Sequence, residues 1–522
     1  MKSFTTAGVC IPSENYMVDI HDRIIKIKAM VDRGEYFTVN RARQYGKTTT
    51  LNALYDYLQT DYKVIYLSFE GIGNAGFSSE EAFVKAFCRK LKREKRAGLD
   101  IPESAEKQID DFISRNEEKA QLDELFDALY DWCEISEREI VLMIDEVDSA
   151  ANNQVFLDFL AQLRDGYLRK KSRGAPGFKS VILAGVTDVK SLKRKLRPDE
   201  THKFNSPWNI AVEFSIDMSL SAEGIKGMLD DYENDHNTGM NTSELAQEIY
   251  DYTSGYPFLV SRICQIIDTE LPGLWTKNGI SEAVKRILME KNTLFDTLMS
   301  KVYENDPLSD ILQSILFGGE RVSYNQYNIP AMDGEMYGFL SNNNGALMIA
   351  NRIFEVMLYN YFLSINEMKK SPISQSGSDS KGLFIENGHL NMDRLLEHYI
   401  TAFDDIYEGK ADSFSEEEGR RRFLLFIRPI INGTGNYYVE SRTRNNEQMD
   451  IVIDYLGERF VIELKIWRGE AYHEKGEQQL AEYLEHYHLD KGYMLTYSFL
   501  KSKRNRLMTV NISGKTLTEA FV

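Results

Sequence analysis

Glu35-Tyr36-Phe37-Thr38-Val39-Asn40, running into Arg41-Ala42-Arg43-Gln44-Tyr45-Gly46-Lys47-Thr48-Thr49-Thr50 and then Leu51-Asn52-Ala53-Leu54-Tyr55-Asp56-Tyr57-Leu58, decides the fold of the front half. The first segment reads as a short strand, the last has helical spacing, and the loop between them ends in Gly-Lys-Thr. Strand, loop and helix together form the context of a phosphate-binding P-loop. Backbone N–H groups at the helix N-terminus meet phosphate, the Lys47 ammonium reaches the β/γ-phosphates, and the Thr48 hydroxyl reaches Mg²⁺. Arg43, Gln44, Tyr45, Gly46, Lys47, Thr48 and Thr49 are therefore the expected ATP-binding residues. The loop matches G-x-x-x-x-G-K-[ST] only in its second half, because Arg41 occupies the first glycine position.

A second element supports this reading. Glu139-Ile140-Val141-Leu142-Met143-Ile144-Asp145-Glu146-Val147-Asp148 is an apolar run ending in acids, the pattern of a central parallel strand whose carboxyl end carries catalytic carboxylates. Asp145 is expected to hold Mg²⁺ and Glu146 to polarise the attacking water. Further strands over Lys63 to Phe69 and Ser180 to Val186 alternate with helical stretches, predicting an α/β parallel sheet of the additional-strand kind. Thr187 or Asp188 would end the last strand, where a polar side chain can sense the γ-phosphate. Ser254-Gly255-Tyr256-Pro257-Phe258-Leu259-Val260 opens a helix containing Arg262, a place from which a lid can contact nucleotide.

The back half carries a different constellation. Gln448-Met449-Asp450-Ile451-Val452-Ile453 and Arg459-Phe460-Val461-Ile462-Glu463-Leu464-Lys465 read as adjacent antiparallel strands joined around Leu456-Gly457-Glu458. A two-residue loop at Leu456-Gly457 pairs Asp450 with Glu463; a loop centred on Gly457-Glu458 sets Asp450 against Lys465. Glu463 and Lys465 share a face by the period of two, so the three groups converge either way. Two carboxylates that hold Mg²⁺ and an ammonium that positions water suit phosphodiester hydrolysis. The blander alternative is a surface hairpin with an ion pair, but Glu463-Leu464-Lys465 sits inside an otherwise apolar run.

The chain has 522 residues, 43% of them hydrophobic and 27% charged, enough for two or three domains with sizeable cores. Its net charge of −18 opposes binding nucleic acid by bulk electrostatics. Basic runs at Arg89 to Arg96, Arg169 to Arg173, Lys190 to Arg197, Arg420 to Arg422 and Lys501 to Arg506 leave local patches open, although such runs are usually solvated helix faces. Cys10, Cys88, Cys133 and Cys264 are too scattered for a zinc site or a disulfide framework. With no long apolar run and no secretory layout at the N-terminus, no membrane contact is expected and a cytoplasmic location is.

Taken together, NRARQYGKTTTLN from Asn40, LMIDEVD from Leu142, SVILAGVTDVK from Ser180, NSPWNIAVEF from Asn205 and SGYPFLV from Ser254 resemble the AAA-like ATPases common in anaerobic bacteria, relatives of the signal-transduction P-loop ATPases. The resemblance covers residues 1–365 and implies an ATPase core over 1–216, a helical lid over 217–290 and a winged-helix module over 291–368. It also implies that an arginine at position 41 is a family trait. Lys369 to Gly382 reads as a linker (369–383), followed by an α/β domain over 384–522 that is similar to the PD-(D/E)XK nuclease (restriction-endonuclease-like) superfamily. By that resemblance Ser415 to Phe426 is its first helix, Tyr437 to Glu440 its first strand, and Asp450, Glu463 and Lys465 its catalytic core. Gln479, on one helix face with Tyr483, would contact water or phosphate, and Glu417 or Glu418 would approach the metal. The whole implies an ATPase fused to a Mg²⁺-dependent nuclease acting on nucleic acid, DNA in the first instance, with a homo-oligomer left open. The alternatives are a regulatory switch or a remodelling ATPase whose back domain only binds.

Overall fold

The computed structural model describes residues 2–115, 120–151, 153–186, 208–318, 322–368, 371–407, 414–431, 434–438, 451–486, 489–498 and 506–522. They form two compact units, Met1–Leu220 with Met336–Gly338, and Ser221–Glu335 with Phe339–Val522. Among the described residues no helix is long and apolar enough to cross a membrane.

The first unit is built on strands β1 (Tyr36–Asn40), β2 (Lys63–Ser68), β3 (Ile140–Asp145) and β4 (Ser180–Gly185), paired in parallel in the order β1-β4-β3-β2. Placing β4 between β1 and β3 fulfils the additional-strand expectation. Its helices are α1 (His21–Asp32), α2 (Lys47–Leu58), α3 (Glu80–Arg96), α4 (Glu103–Ser114), α5 (Leu122–Ile135) and α6 (Gln154–Arg173). Every residue of β3 and β4 is buried, which is why both read as unbroken apolar runs. Leu51, Leu54 and Leu58 pack with Ile24 and Ile27 on one sheet face, against Val39, Met143 and Ile182. On the other face, Phe159 is wholly buried, with the rings of Phe126 at 5.3 Å, Phe83 at 5.4 Å and Phe87 at 5.8 Å. Truncating it to alanine removes about 3–5 kcal/mol.

The second unit begins with helices α7 (Ala222–His236), α8 (Thr242–Thr253), α9 (Pro257–Glu270) and α10 (Lys277–Met289). Ser221, Asn241 and Thr276 cap three of them by accepting the N–H of Gly224, Glu244 and Gly279. Helices α11 (Thr293–Glu304), α12 (Asp306–Gly318) and α13 (Ile329–Tyr337) precede the hairpin β5 (Leu340–Asn343) and β6 (Ala346–Ile349), and α14 (Arg352–Met368) follows it.

Beyond α14 lie α15 (Pro372–Ser380), the short pair β7 (Ile385–Glu386) and β8 (His389–Leu390), α16 (Met392–Tyr407), α17 (Glu416–Ile431), β9 (Gly435–Tyr438), β10 (Ile451–Tyr455), β11 (Glu458–Ile466), α18 (Glu470–His486), β12 (Lys491–Tyr497), β13 (Leu507–Ile512) and β14 (Lys515–Phe521). The six long strands make one mixed sheet, ordered β13-β14-β12-β11-β10-β9. β9, β10 and β11 run antiparallel, α18 carries the chain into parallel β12, and β12 pairs in parallel with β14. α16 and α17 cover one face through Tyr399 and Gly419, which both bond the Tyr497 hydroxyl at 2.8 Å. Leu480 and Leu484 of α18 cover the other, with Met494 and Leu517.

The linker reading of Lys369 to Gly382 is corrected. Pro372 at the helix start nucleates α15, Ile373 is fully buried, and a Cβ on Gly377 would lie 2.0 Å from the Phe426 carbonyl oxygen. Position 377 is a glycine because α17 approaches too closely for a side chain there; Lys369 and Lys370 lie outside the described residues. Four hairpins in this unit share one device. Asn344-Gly345, Asn387-Gly388, Leu456-Gly457 and Ser513-Gly514 are two-residue loops with positive φ at both positions, as primed hairpin turns require.

Candidate functional site

In the first unit, β1 ends at Asn40 and α2 starts at Lys47, with Gln44 (φ 56°) and Gly46 (φ 77°) in the left-handed region turning the loop between them. Gly46 stands at the N-cap with no side-chain cap, so the first N–H groups of α2 keep the anion-binding arrangement of an uncapped helix start. The Lys47 ammonium donates to the carbonyls of Arg41 and Ala42 at 3.0 Å each. Burial lowers its pKa, and Glu146, Asp148 and Asp145 pull in the opposite direction. The Thr48 hydroxyl donates to Asp145 Oδ2 at 2.8 Å, which joins the loop to the end of β3.

Asp145 is 2% exposed and also accepts the Glu146 N–H at 2.8 Å. Glu146 adopts φ 53°, and burial, with Asp145 next, raises its pKa. Such a carboxylate is the better base for the shift. Asp148 accepts the Val186 N–H at 2.6 Å and so ties β4's end to the same corner. The Arg41 side chain reaches beyond the loop. Its guanidinium donates to Ile216 O at 2.8 Å and lies 5.4 Å from the Phe214 ring, so a side chain at the first glycine position is housed in a pocket of its own.

The second constellation lies on β11. Tyr455 pairs with Glu458 and Ile451 with Ile462, so the loop is Leu456-Gly457, the first of the two registers open from sequence. Glu463 is 0% exposed, and the Lys465 Nζ lies 2.6 Å from its Oε1. Gly476 of α18 rides over this pair; a Cβ there would be 3.3 Å from Lys465 Cε and 3.5 Å from Met494 Cε. At the turn end of the same hairpin the Tyr252 hydroxyl of α8 donates to Asp454 Oδ2 at 3.0 Å, and Arg459 Nε donates to Asp454 Oδ1 at 2.9 Å. The helical module and the hairpin are thus bonded within one unit.

The family model described as AAA-like domain matches residues 9–362 of the chain's 522. The chain belongs to the AAA-like family. The match ends inside α14, so the mixed sheet lies beyond it. No curated protein matches the sequence. Among solved structures, the Walker-type ATPase PABY2304 of Pyrococcus abyssi is similar at 13% identity and a TM-score of 0.48, over 68% of this chain and 99% of that one. The ORC2 protein of Aeropyrum pernix, in ADPNP–ADP complexes, gives 11% and 0.38 over 69% and 98%. Cdc6p of Pyrobaculum aerophilum gives 14% and 0.32 over 70% and 97%. Likenesses this distant say nothing of substrate.

Of the residues anticipated in this AAA-like chain, Gly46, Lys47, Thr48, Asp145 and Glu146 meet at one corner, while Arg43 and Gln44 are exposed on the loop. Thr49 accepts the Cys10 N–H at 3.3 Å. Thr187, Asp188, Asp450 and the run Lys190 to Arg197 lie outside the described residues, as do Glu440 and Lys501 to Asn505. Gln479 is half-buried on α18, three residues past Gly476, and Tyr483 is buried against Val452 and Val461. Arg262 binds Glu290 at 2.6 Å within its own unit. Glu418 pairs with Arg422, the Glu417 side chain lies outside the described ones, and Glu416 reaches β11, accepting the Ile466 N–H at 3.4 Å. A three-glutamate run gives no signal for which member faces the sheet.

Members of the described basic runs are held locally. Lys92 binds Asp110, Lys95 binds Glu106 at 2.5 Å, Arg169 binds Asp165 at 2.6 Å, and Arg420 is buried with its guanidinium on Phe317 O. All four cysteines are free thiols, and burial pushes Cys88 and Cys133 up to about 12. Sequence reasoning missed the cluster His473, Glu477 and Glu519; its helical i, i+4 pair was visible, but its third member comes from β14.

Proposed function

We propose that this AAA-like protein binds and hydrolyses ATP, and that its nucleotide state controls a Mg²⁺-dependent nuclease in the C-terminal α/β domain, acting on DNA. The observation that carries the first part is the Thr48 to Asp145 hydrogen bond of 2.8 Å beside a left-handed, pKa-raised Glu146. Lys47 leaves two carbonyls to take the phosphates, Thr48 and Asp145 would hold Mg²⁺, and Glu146 takes the proton of the attacking water.

The second part is supported by a buried carboxylate 2.6 Å from an ammonium, on a strand paired with one that begins right after Asp450. Helix, three antiparallel strands, helix and parallel strand also follow in the order of PD-(D/E)XK nucleases. Asp450 and Glu463 would hold the metal, which supplies charge neutralisation at the scissile phosphate. Lys465 turns from Glu463 to the water or phosphate, and Gln479 contacts either. Control is supported by the bond between Tyr252 in the helical module and Asp454 in the hairpin.

A second reading, a switch whose back domain binds without cleaving, is favoured by the local ion pairs of Lys92, Lys95 and Arg169. The test incubates the full chain with plasmid, linear, single-stranded DNA and RNA, with Mg²⁺ or Mn²⁺ and with or without ATP, beside Glu463→Ala and Lys47→Ala. Cleavage lost in the first variant and altered in the second supports the proposal. ATP turnover with no cleavage in any condition favours the switch.

A further inference from the structure

The sheet face beneath α18 carries a second group of ligating side chains, apart from Glu463. His473 and Glu477, one helical turn apart on α18, meet Glu519 of β14, and their ligand atoms all lie within 4.8 Å of one another. His473 Nε2 is 3.2 Å from Glu519 Oε2 and 4.0 Å from Glu477 Oε1. Glu519 is 1% exposed and His473 6%. The imidazole is flanked by the rings of Trp467 at 5.1 Å and Phe521 at 5.3 Å.

We propose that His473, Glu477 and Glu519 form a site for one first-row divalent cation, Zn²⁺ foremost, that clamps α18 to β14. A tetrahedral ion with bonds of about 2.1 Å needs ligand atoms about 3.4 Å apart, so the triad closes on it with small side-chain movements. One imidazole with two carboxylates is a mixed N,O donor set that selects Zn²⁺ over the harder Mg²⁺. The half-buried side of Glu477 leaves room for water as the fourth ligand. The Glu477 and Glu519 carboxylates crowd the one imidazole, and a dication would offset their mutual repulsion.

The site does not rest on the nuclease reading. The clamp spans the face on which α18 covers Lys465, so its role is to fix that helix on the sheet.

The test uses the full chain carrying Glu463→Ala, which removes the other candidate metal set of this domain. Chelator-stripped protein is reloaded with Zn²⁺ or Co²⁺ and assayed for bound metal, Co²⁺ visible spectrum and melting temperature. The expected result is one Zn²⁺ per chain, Co²⁺ bands of low-symmetry four-coordination, and a melting temperature raised by about 5 °C. All three are lost in the added variants His473→Ala and Glu519→Gln. Glu519→Gln keeps side-chain volume and decides the matter if His473→Ala fails to fold. Equal metal content and melting shift with and without Glu519→Gln would overturn the proposal, as would Zn²⁺ leaving the melting temperature unchanged.

Discussion

The P-loop corner and the β11 pair each set a lysine beside carboxylates, yet they hold it differently. Lys47 rests on two neutral carbonyls, whereas Lys465 is closed onto a fully buried carboxylate. An incoming nucleotide has to displace two hydrogen bonds from an ammonium to neutral carbonyls, worth about 1.5–3 kcal/mol each. A metal entering at Glu463 has to displace an ammonium from a desolvated ion pair. The first site is poised for its ligand and the second is latched.

The largest test of that contrast is Glu146→Gln. If the front corner is a working hydrolytic site, ATP turnover measured by phosphate release falls about 10²- to 10⁴-fold while nucleotide remains bound. Equal turnover would remove Glu146 as the base. The latch is probed by replacing Glu463 and Lys465 together with methionine. A buried pair kept for chemistry gives a variant that does not cleave and is neutral to about 1–4 kcal/mol more stable by denaturant titration. A marked loss of stability would make the pair a structural element and weaken the nuclease reading.

Lys47→Ala comes next. Losing one charge-assisted phosphate contact weakens ATP binding by about 1.5–3 kcal/mol, read by calorimetry, with the melting temperature of the free protein little changed. The smallest expected effect belongs to Leu456, which takes φ 48° where the other hairpins of its unit have asparagine or serine. Leu456→Asn relieves a left-handed leucine and raises stability by about 1 kcal/mol. No gain would mean that the exposed leucine is held by packing, and that the hairpin is less strained than its turn implies.

The front half was legible because its chemistry is contiguous: Gly46-Lys47-Thr48 and Asp145-Glu146 are neighbours in sequence and stay neighbours in space. The additional-strand sheet followed from apolar runs that only a doubly covered parallel sheet accommodates. In the back half, Glu463 and Lys465 were legible by strand periodicity, and the Leu456-Gly457 loop was one of two registers that the pattern allowed. Glu416 and Glu519 were not, since each acts through an approach between distant elements that no spacing encodes. That Arg41 departs from the glycine pattern was plain in the sequence, but its receivers, Ile216 O and Phe214, were not, because they lie far along the chain. The helix α15 was hidden by composition: serine and glycine signal a flexible segment unless a neighbouring backbone demands small residues.

That helix also bears on what kind of signal the chain can carry. A string of flexible residues transmits no torque, and a domain at its end reports only that something is near. With Gly377 keying α15 to α17 and the Tyr252 hydroxyl bonded to Asp454, the helical module and the hairpin are instead joined within one unit by packed elements.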